Sequence, residues 1–258
     1  MRELLELLSD SLPSERSRHN RLVRLPEDRS IIFVGDIHGD RDAVEIVFSR
    51  FPAEDHVIVF LGDVVDRGPD SLGALSLILE EKQKADSCVH LLMGNHEAWG
   101  ISRFTPADFW DSLSPSQSEE LAHHLMKLPL AAWHPSGVLA THGGLPDLPS
   151  LEAVDDIALG SKEWRAVTWG DWVSEDRRSS VTGSRPAFGP SAFKRLSSRL
   201  GVRILIRSHQ PNTPAYLFDN RCLTLLTSSA YGSGARQVAR LMPDDTMQTA
   251  RDLQIVDI

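Results

Sequence analysis

Six short segments each close an apolar run with a small polar cluster, five of them rich in side chains that favour metal ions: GDIHGD (35–40), GDVVDRG (62–68), GNHE (94–97), THGG (141–144), RSHQ (207–210) and, less chemically, SSAYG (228–232). Between them they supply Asp36, His38, Asp63, Asn95, His142 and His209. Hard divalent cations prefer oxygen, while Mn²⁺, Fe and Zn²⁺ also take imidazole. Asp36 and His38, two positions apart at one strand end, would hold one ion. Asp63 would bridge through its two carboxylate oxygens, and Asn95, His142 and His209 would complete the shell of a second ion. A pair of adjacent cations has a specific use: it activates water and holds an oxyanion at phosphorus. Such a reaction needs no serine or cysteine nucleophile, and the chain carries no G-x-S-x-G elbow and no active-cysteine loop.

Cleaving a phosphate ester also requires a proton for the departing oxygen. His96 directly follows Asn95, so it lies beside the ions without taking the same ligand position and is the expected general acid. Asp66, three residues after Asp63, is placed to orient His96 and raise its pKa by charge pairing. Arg67 follows at once and can bind phosphate oxygens through its fork of donors. Alone, an Asp-Arg-Gly triplet is more often a salt-bridged turn than a phosphate clamp. The inference therefore rests on the motifs jointly.

Strand–loop–helix units must position these groups. Apolar, β-branched runs predict strands at IIFVG (31–35), HVIVFLG (56–62), CVHLLMG (88–94), VLATHGG (138–144), RILIRSHQ (203–210), CLTLLTSS (222–229) and RQVARLM (236–242). Helices are expected over 41–50, over 71–84 with Asp70 or Ser71 as N-cap, and over 191–200. Residues 105–134 read as helical. The alternation predicts an α/β layered fold, with the later strands making the sheets mixed. Chemistry in such folds gathers where strands end at one sheet edge.

The rest of the chain sets bounds. At 258 residues and 41% hydrophobic content, with no linker or repeat, it reads as one domain over 1–258, with a helical extension at 1–29 and a core at 30–242. A formal charge of −9 gives no electrostatic reason to bind nucleic acid. The short basic arm RSRHNRLVR (16–24) is read as a solvated helix end or loop. Cys88 and Cys222 sit in apolar runs and read as buried free thiols. MRELLELLSD is too short and acidic for a secretory leader, and no run of about 18 apolar residues predicts a membrane span. A cytoplasmic setting without a membrane is expected. His123 and His124 are adjacent and point to different faces. They, with His19, His56, His90 and His134, carry no partner motif and read as surface or packing residues.

GDIHG, GDVVDRG, GNHE, HGG and SHQ together resemble the signature of the calcineurin-like metallophosphoesterases, and more narrowly the phosphoprotein phosphatase family of serine/threonine phosphatases. The resemblance covers about residues 30–242. It implies a four-layer α-β-β-α sandwich of two mixed β-sheets flanked by helices. It implies two divalent metal ions, Mn²⁺ first with Fe or Zn as alternatives, on the six ligands above, and Asp66 with His96 as the acid pair. SSAYG resembles a late family segment and would put Tyr231 near the substrate, where Asn95 and Arg67 also bind phosphate. The family's second phosphate-binding arginine falls within SEDRRSSVTGSRPAFG (174–189), where Arg185 is favoured by its nearness to Phe188-Gly189 and Arg177 and Arg178 are the alternatives. The implied substrate is a phosphorylated protein or peptide. A dinucleoside polyphosphate hydrolase of the diadenosine tetraphosphate type is the alternative, with Pro69 in its favour, and an inactive scaffold a third. The residues do not identify a regulatory partner.

Overall fold

In the computed structural model, which describes residues 1–11, 21–174, 185–231, 236–243 and 245–258, the apolar runs pair into two mixed sheets. One orders β1 (Leu22–Arg24), β5 (Ala131–His134), β6 (Val138–Thr141), β9 (Ile204–Arg207), β11 (Cys222–Thr224) and β10 (Tyr216–Leu217). The other orders β13 (Gln254–Asp257), β12 (Gln237–Leu241), β2 (Ser30–Val34), β3 (His56–Phe60) and β4 (Val89–Leu91). A small parallel pair joins β7 (Asp171–Trp172) to β8 (Ala187–Phe188). Within the large sheets β2, β3 and β4 run parallel to one another, as do β6, β9 and β11.

The two-residue period of each strand explains the layering. In β2, Ile31 and Phe33 join a core with Val57 and Val59 of β3 and with Val138, Ala140, Ile204 and Ile206 of the facing sheet. The alternate residues, Ile32, Val34, Ile58 and Phe60, belong to a second core together with the helices. A strand buried on both faces reads as a continuous apolar run, as these do. Each such side chain contributes about 1.5–3 kcal/mol by leaving water.

The helices are α1 (Arg2–Ser11), α2 (Arg41–Arg50), α3 (Ser71–Lys84), α4 (Asp108–Asp111), α5 (Pro115–Leu125), α6 (Lys162–Trp169) and α7 (Pro190–Leu200). Val44 and Val47 of α2 and Leu75, Ile78 and Leu79 of α3 enter the second core, as do Trp164 of α6 and Phe193 and Leu196 of α7. The result is the α-β-β-α sandwich. Asp40 caps α2 by accepting from the Ala43 N–H at 3.2 Å, and Asp70 caps α3 by accepting from Gly73 at 2.8 Å. The first two chemical motifs therefore lie where a strand has ended and a helix begins.

Four segments differ from the sequence reading. Residues 131–134 form strand β5 rather than helix end, because β1 and β6 pair with the segment on both sides. Of residues 1–29, the stretch Arg2–Ser11 is helical, but Leu22–Arg24 is a strand in register with Ala131–Trp133, and Leu4, Leu8 and Leu22 are core residues. Beyond residue 242, β13 pairs with β12 and completes the five-stranded sheet. The strand expected over 222–229 stops at Thr224, and a 3-10 turn takes up Ser229–Tyr231. No helix among the described residues is long and apolar enough to cross a membrane.

Candidate metal centre

Parallel strand direction brings the motifs together. Asp36, Asp63 and the Asn95–His96 pair follow the C-terminal ends of three adjacent parallel strands, β2, β3 and β4. His142 and His209 follow the ends of β6 and β9, adjacent and parallel in the facing sheet. All these side chains are buried. Parallel strands end on one edge, so two stacked sheets can pool their loops there.

The loops are tightly wound. His38, Asp63, Asp66, Arg67 and His209 all adopt left-handed backbone conformations, with φ between 45° and 73°. A non-glycine residue there costs on the order of 1–3 kcal/mol, a strain that clusters at functional sites. Gly62 has φ of 103°, and a Cβ on it would collide with the backbone of Gly94. A Cβ on Gly94 would in turn strike the Asp63 carboxylate. The GDVVDRG and GNHE loops thus touch backbone to backbone.

Hydrogen bonds fix the imidazoles. His38 Nδ1 donates to the Val65 carbonyl at 2.9 Å, and His142 Nδ1 donates to the Leu61 carbonyl at 3.0 Å. A carbonyl only accepts, so in each neutral ring the lone pair sits on Nε2. His38 Nε2 is buried without a hydrogen-bond partner, 3.8 Å from both Asp36 Oδ2 and Asp63 Oδ2. His142 Nε2 lies 3.2 Å from Asp63 Oδ2, Asn95 Oδ1 and His209 Nδ1. Ligand atoms of His38, Asp63 and His96 fall within 4.8 Å of one another, and so do those of Asp63, His142 and His209. Both groups share Asp63. The unpartnered lone pair of His38 Nε2, buried between the Asp36 and Asp63 carboxylates, calls for positive charge. The donor set fits divalent cations.

The electrostatics express the same demand. Burial would lower the pKa of His142, but Asp63 and Asp36 outweigh it and raise it to about 9. Burial would raise Asp63, yet His142, His96 and His38 hold it well below the carboxylate range. His209, desolvated and beside His142, is pushed down to about 4 despite Asp171.

His96 stands differently. Its Nδ1 lies 2.6 Å from Asp66 Oδ2, while its Nε2 is 3.8 Å from Asp63 Oδ2. The other oxygen of Asp66 accepts the Phe109 N–H at 2.8 Å, and Trp110 Nε1 donates to the His96 carbonyl at 3.0 Å. Helix α4 therefore braces the pair from behind. Burial opposes protonation of His96, but Asp63 and Asp66 outweigh it and raise its pKa.

The remaining expected residues sit around this centre. The Tyr231 hydroxyl donates to Asp36 Oδ2 at 2.7 Å, and its ring meets His38 edge-on at 5.4 Å. The Arg67 guanidinium lies 5.8 Å from the Tyr231 ring centroid. Arg185 is 3.8 Å from Asp171, which is 3.3 Å from His209 Nε2, and it stacks on Trp169. Arg177 and Arg178 lie outside the described residues. Asp36 is outside both tight groups, its oxygens taken by Tyr231 and by the His209 N–H.

Two side chains received no role from the sequence. Glu97 is buried, and its carboxylate accepts from the backbone N–H groups of Asp63, Val64 and Gly94 at 2.7, 2.8 and 3.0 Å. A carboxylate in a buried glycine-flanked loop was the signal available for it. Asp171 lies in TWGDW, where nothing local marks it.

Comparison with known proteins gives a consistent picture. The sequence profile for calcineurin-like phosphoesterases matches residues 29–212. A probable serine/threonine-protein phosphatase of Encephalitozoon cuniculi is 28% identical over 228 residues, covering 81% of this chain and 49% of its own length. The chain spans about half or less of the length of the curated relatives it matches. A solved protein serine/threonine phosphatase from Saccharomyces cerevisiae aligns with a TM-score of 0.80 at 21% identity, covering 99% of this chain and 88% of that one. A structure described as a candidate diadenosine tetraphosphatase aligns at a TM-score of 0.58 and 19% identity, covering 92% of this chain and 98% of that one. At these identities the structural likenesses establish the fold alone.

Proposed function

The chain belongs to the calcineurin-like phosphoesterase family, and from that premise we propose that it hydrolyses phosphoric monoesters, with phosphoserine and phosphothreonine in proteins or peptides as substrate. The observation that carries the reading is the convergence on Asp63 of two buried donor groups, with the His96–Asp66 pair beside them. Asp36, His38 and Asp63 would hold one divalent cation, and Asp63, Asn95, His142 and His209 a second. Mn²⁺ is the first candidate and Fe or Zn²⁺ the alternatives, since the same nitrogen and oxygen donors accept all three. When bound, such cations polarise phosphoryl oxygens and lower the pKa of a water molecule.

The chain's own residues do the rest. His96 delivers the proton on Nε2 to the departing alcohol oxygen, and Asp66 holds the opposite Nδ1–H so that the ring faces the site. Arg67, Arg185 and Asn95 take up the phosphoryl oxygens, and Tyr231 borders them. The serine/threonine phosphatase named among the relatives supports a phosphoprotein substrate over a polyphosphate.

A turnover comparison tests this. The chelator-treated chain is given Mn²⁺ and offered a phosphoserine peptide, a phosphotyrosine peptide and a dinucleoside polyphosphate. The phosphoserine peptide is expected to turn over fastest, with activity absent under chelator. Faster cleavage of the polyphosphate would transfer the assignment to a nucleotide hydrolase. No turnover with Mn²⁺, Fe²⁺ or Zn²⁺ would leave a binding scaffold.

A further inference from the structure

The last residue of GDIHGD takes no part in the chemistry above, yet it is buried and heavily bonded. Asp40 Oδ2 accepts from the backbone N–H of Ser229 at 2.8 Å and from its hydroxyl at 2.7 Å. Arg236 then grips the same carboxylate with both arms of its fork, Nε to Oδ2 at 2.8 Å and Nη2 to Oδ1 at 2.7 Å. Arg236 Nη2 also reaches the Ser229 hydroxyl at 3.5 Å. Ser229 and Arg236 flank Tyr231 in sequence, and Tyr231 ends the turn that Ser229 begins. Four residues before Asp40, Asp36 receives the Tyr231 hydroxyl. One hexapeptide therefore bonds the late part of the chain at three residues: the Tyr231 hydroxyl, Ser229 and Arg236.

We propose that Asp40 is a positioning residue, an anion that with Arg236 clasps Ser229, the first residue of the Tyr231 turn, and so sets the phenol against Asp36 and His38. The inference rests on the reading of Tyr231 as bordering the substrate. A helix N-cap alone would require one accepted bond, which Ala43 already supplies. The bidentate guanidinium and the two bonds to Ser229 point away from α2 and toward the late segment. Bidentate carboxylate–guanidinium pairs fix direction as well as distance, which suits a clasp. The pair is also sheltered: the Asp40 and Arg236 side chains are 4% and 21% exposed, so water competes weakly for either partner.

The chain has two tyrosines, so a Tyr216→Phe background carrying 3-fluorotyrosine reports on Tyr231 through a single ¹⁹F resonance. This spectrum is recorded on the chelator-treated chain and needs no turnover. Asp40→Asn keeps an acceptor for Ala43 but loses the fork, and Arg236→Met keeps the apolar stem on a partly exposed side chain. Both are expected to move the resonance toward that of free fluorotyrosine, and Arg236→Lys to return it part of the way. With Mn²⁺ and an aryl phosphate, kcat/KM should fall about tenfold, the scale of one charge-assisted bond. In a Tyr231→Phe background the same substitutions should cost almost nothing further, because coupled residues are not additive. An unmoved resonance in both variants, or losses that add in full to that of Tyr231→Phe, overturns the clasp. If the parent chain itself cleaves no phosphate ester, the proposed activity falls while the resonance still decides the clasp.

Discussion

His96 Nδ1 lies 2.6 Å from Asp66 Oδ2, thirty residues away in sequence, with both side chains buried. The other Asp66 oxygen is committed to the Phe109 N–H. The carboxylate therefore has one free direction, toward His96, and the imidazole has one free nitrogen, Nε2, toward the ligand cluster. Removing either partner should disable the same proton.

His96→Asn is expected to lower turnover by about 10²–10⁴-fold, the usual worth of a positioned acid. Asp66→Asn should lose activity as well, and the double variant should be no worse than His96→Asn alone. Elemental analysis should find metal content unchanged in all three. Undiminished turnover in Asp66→Asn removes its positioning role.

Asp63→Asn should be more severe, because both donor groups share this carboxylate. An amide keeps one oxygen acceptor but no charge, so metal bound per chain should drop sharply at both positions. Full occupancy measured by equilibrium dialysis contradicts the bridging assignment.

Glu97→Gln tests the clamp between the two ligand loops. Glu97 Oε2 accepts from Asp63 and Gly94 and Oε1 from Val64. Glutamine offers one oxygen, so its NH₂ must face at least one buried backbone N–H. An orphaned buried donor costs about 1–3 kcal/mol, which a urea midpoint should register. An unchanged midpoint shows that the loops hold without the clamp.

His90 in β4 supplies a pH dependence away from the candidate metal centre. Burial, with Lys82 adding to it, pushes its pKa from 6.5 down to about 4. The unfolded chain then binds the extra proton between those values, so stability falls as pH drops from about 6.5 toward 4. The effect is on the order of 1–2 kcal/mol after solvent screening. His90→Gln should flatten that part of the acid limb in a comparison of melting temperatures. An identical limb in both chains refutes the assignment.

How much was legible follows from how local each signal is. Helices α2 and α3 occupy the segments expected for them, 41–50 and 71–84, because a cap and an apolar face are written in adjacent residues. The strands that end in motifs were legible as β-branched runs. β5 was not: AAWH has no strand signature of its own, and its state comes from pairing with β1 and β6. β1 and β13 are similarly short edge strands, recruited by neighbours distant in sequence.

The site divides along the same line. Residue types and their order named the donors, because metal affinity is a property of carboxylate, amide and imidazole groups themselves. Sequence alone thus determined which donor atoms were available. Tertiary structure decided how they are used. It set Asp66 against His96, tied Tyr231 to Asp36 and Asp40 to Arg236, and turned Glu97 into a clamp between loops. A hydrogen bond across 30 or 196 positions depends on which strands pair side by side, β3 with β4 and β2 with β12, and that pairing is settled by burial of the strands' apolar faces, far from the residues whose chemistry it arranges.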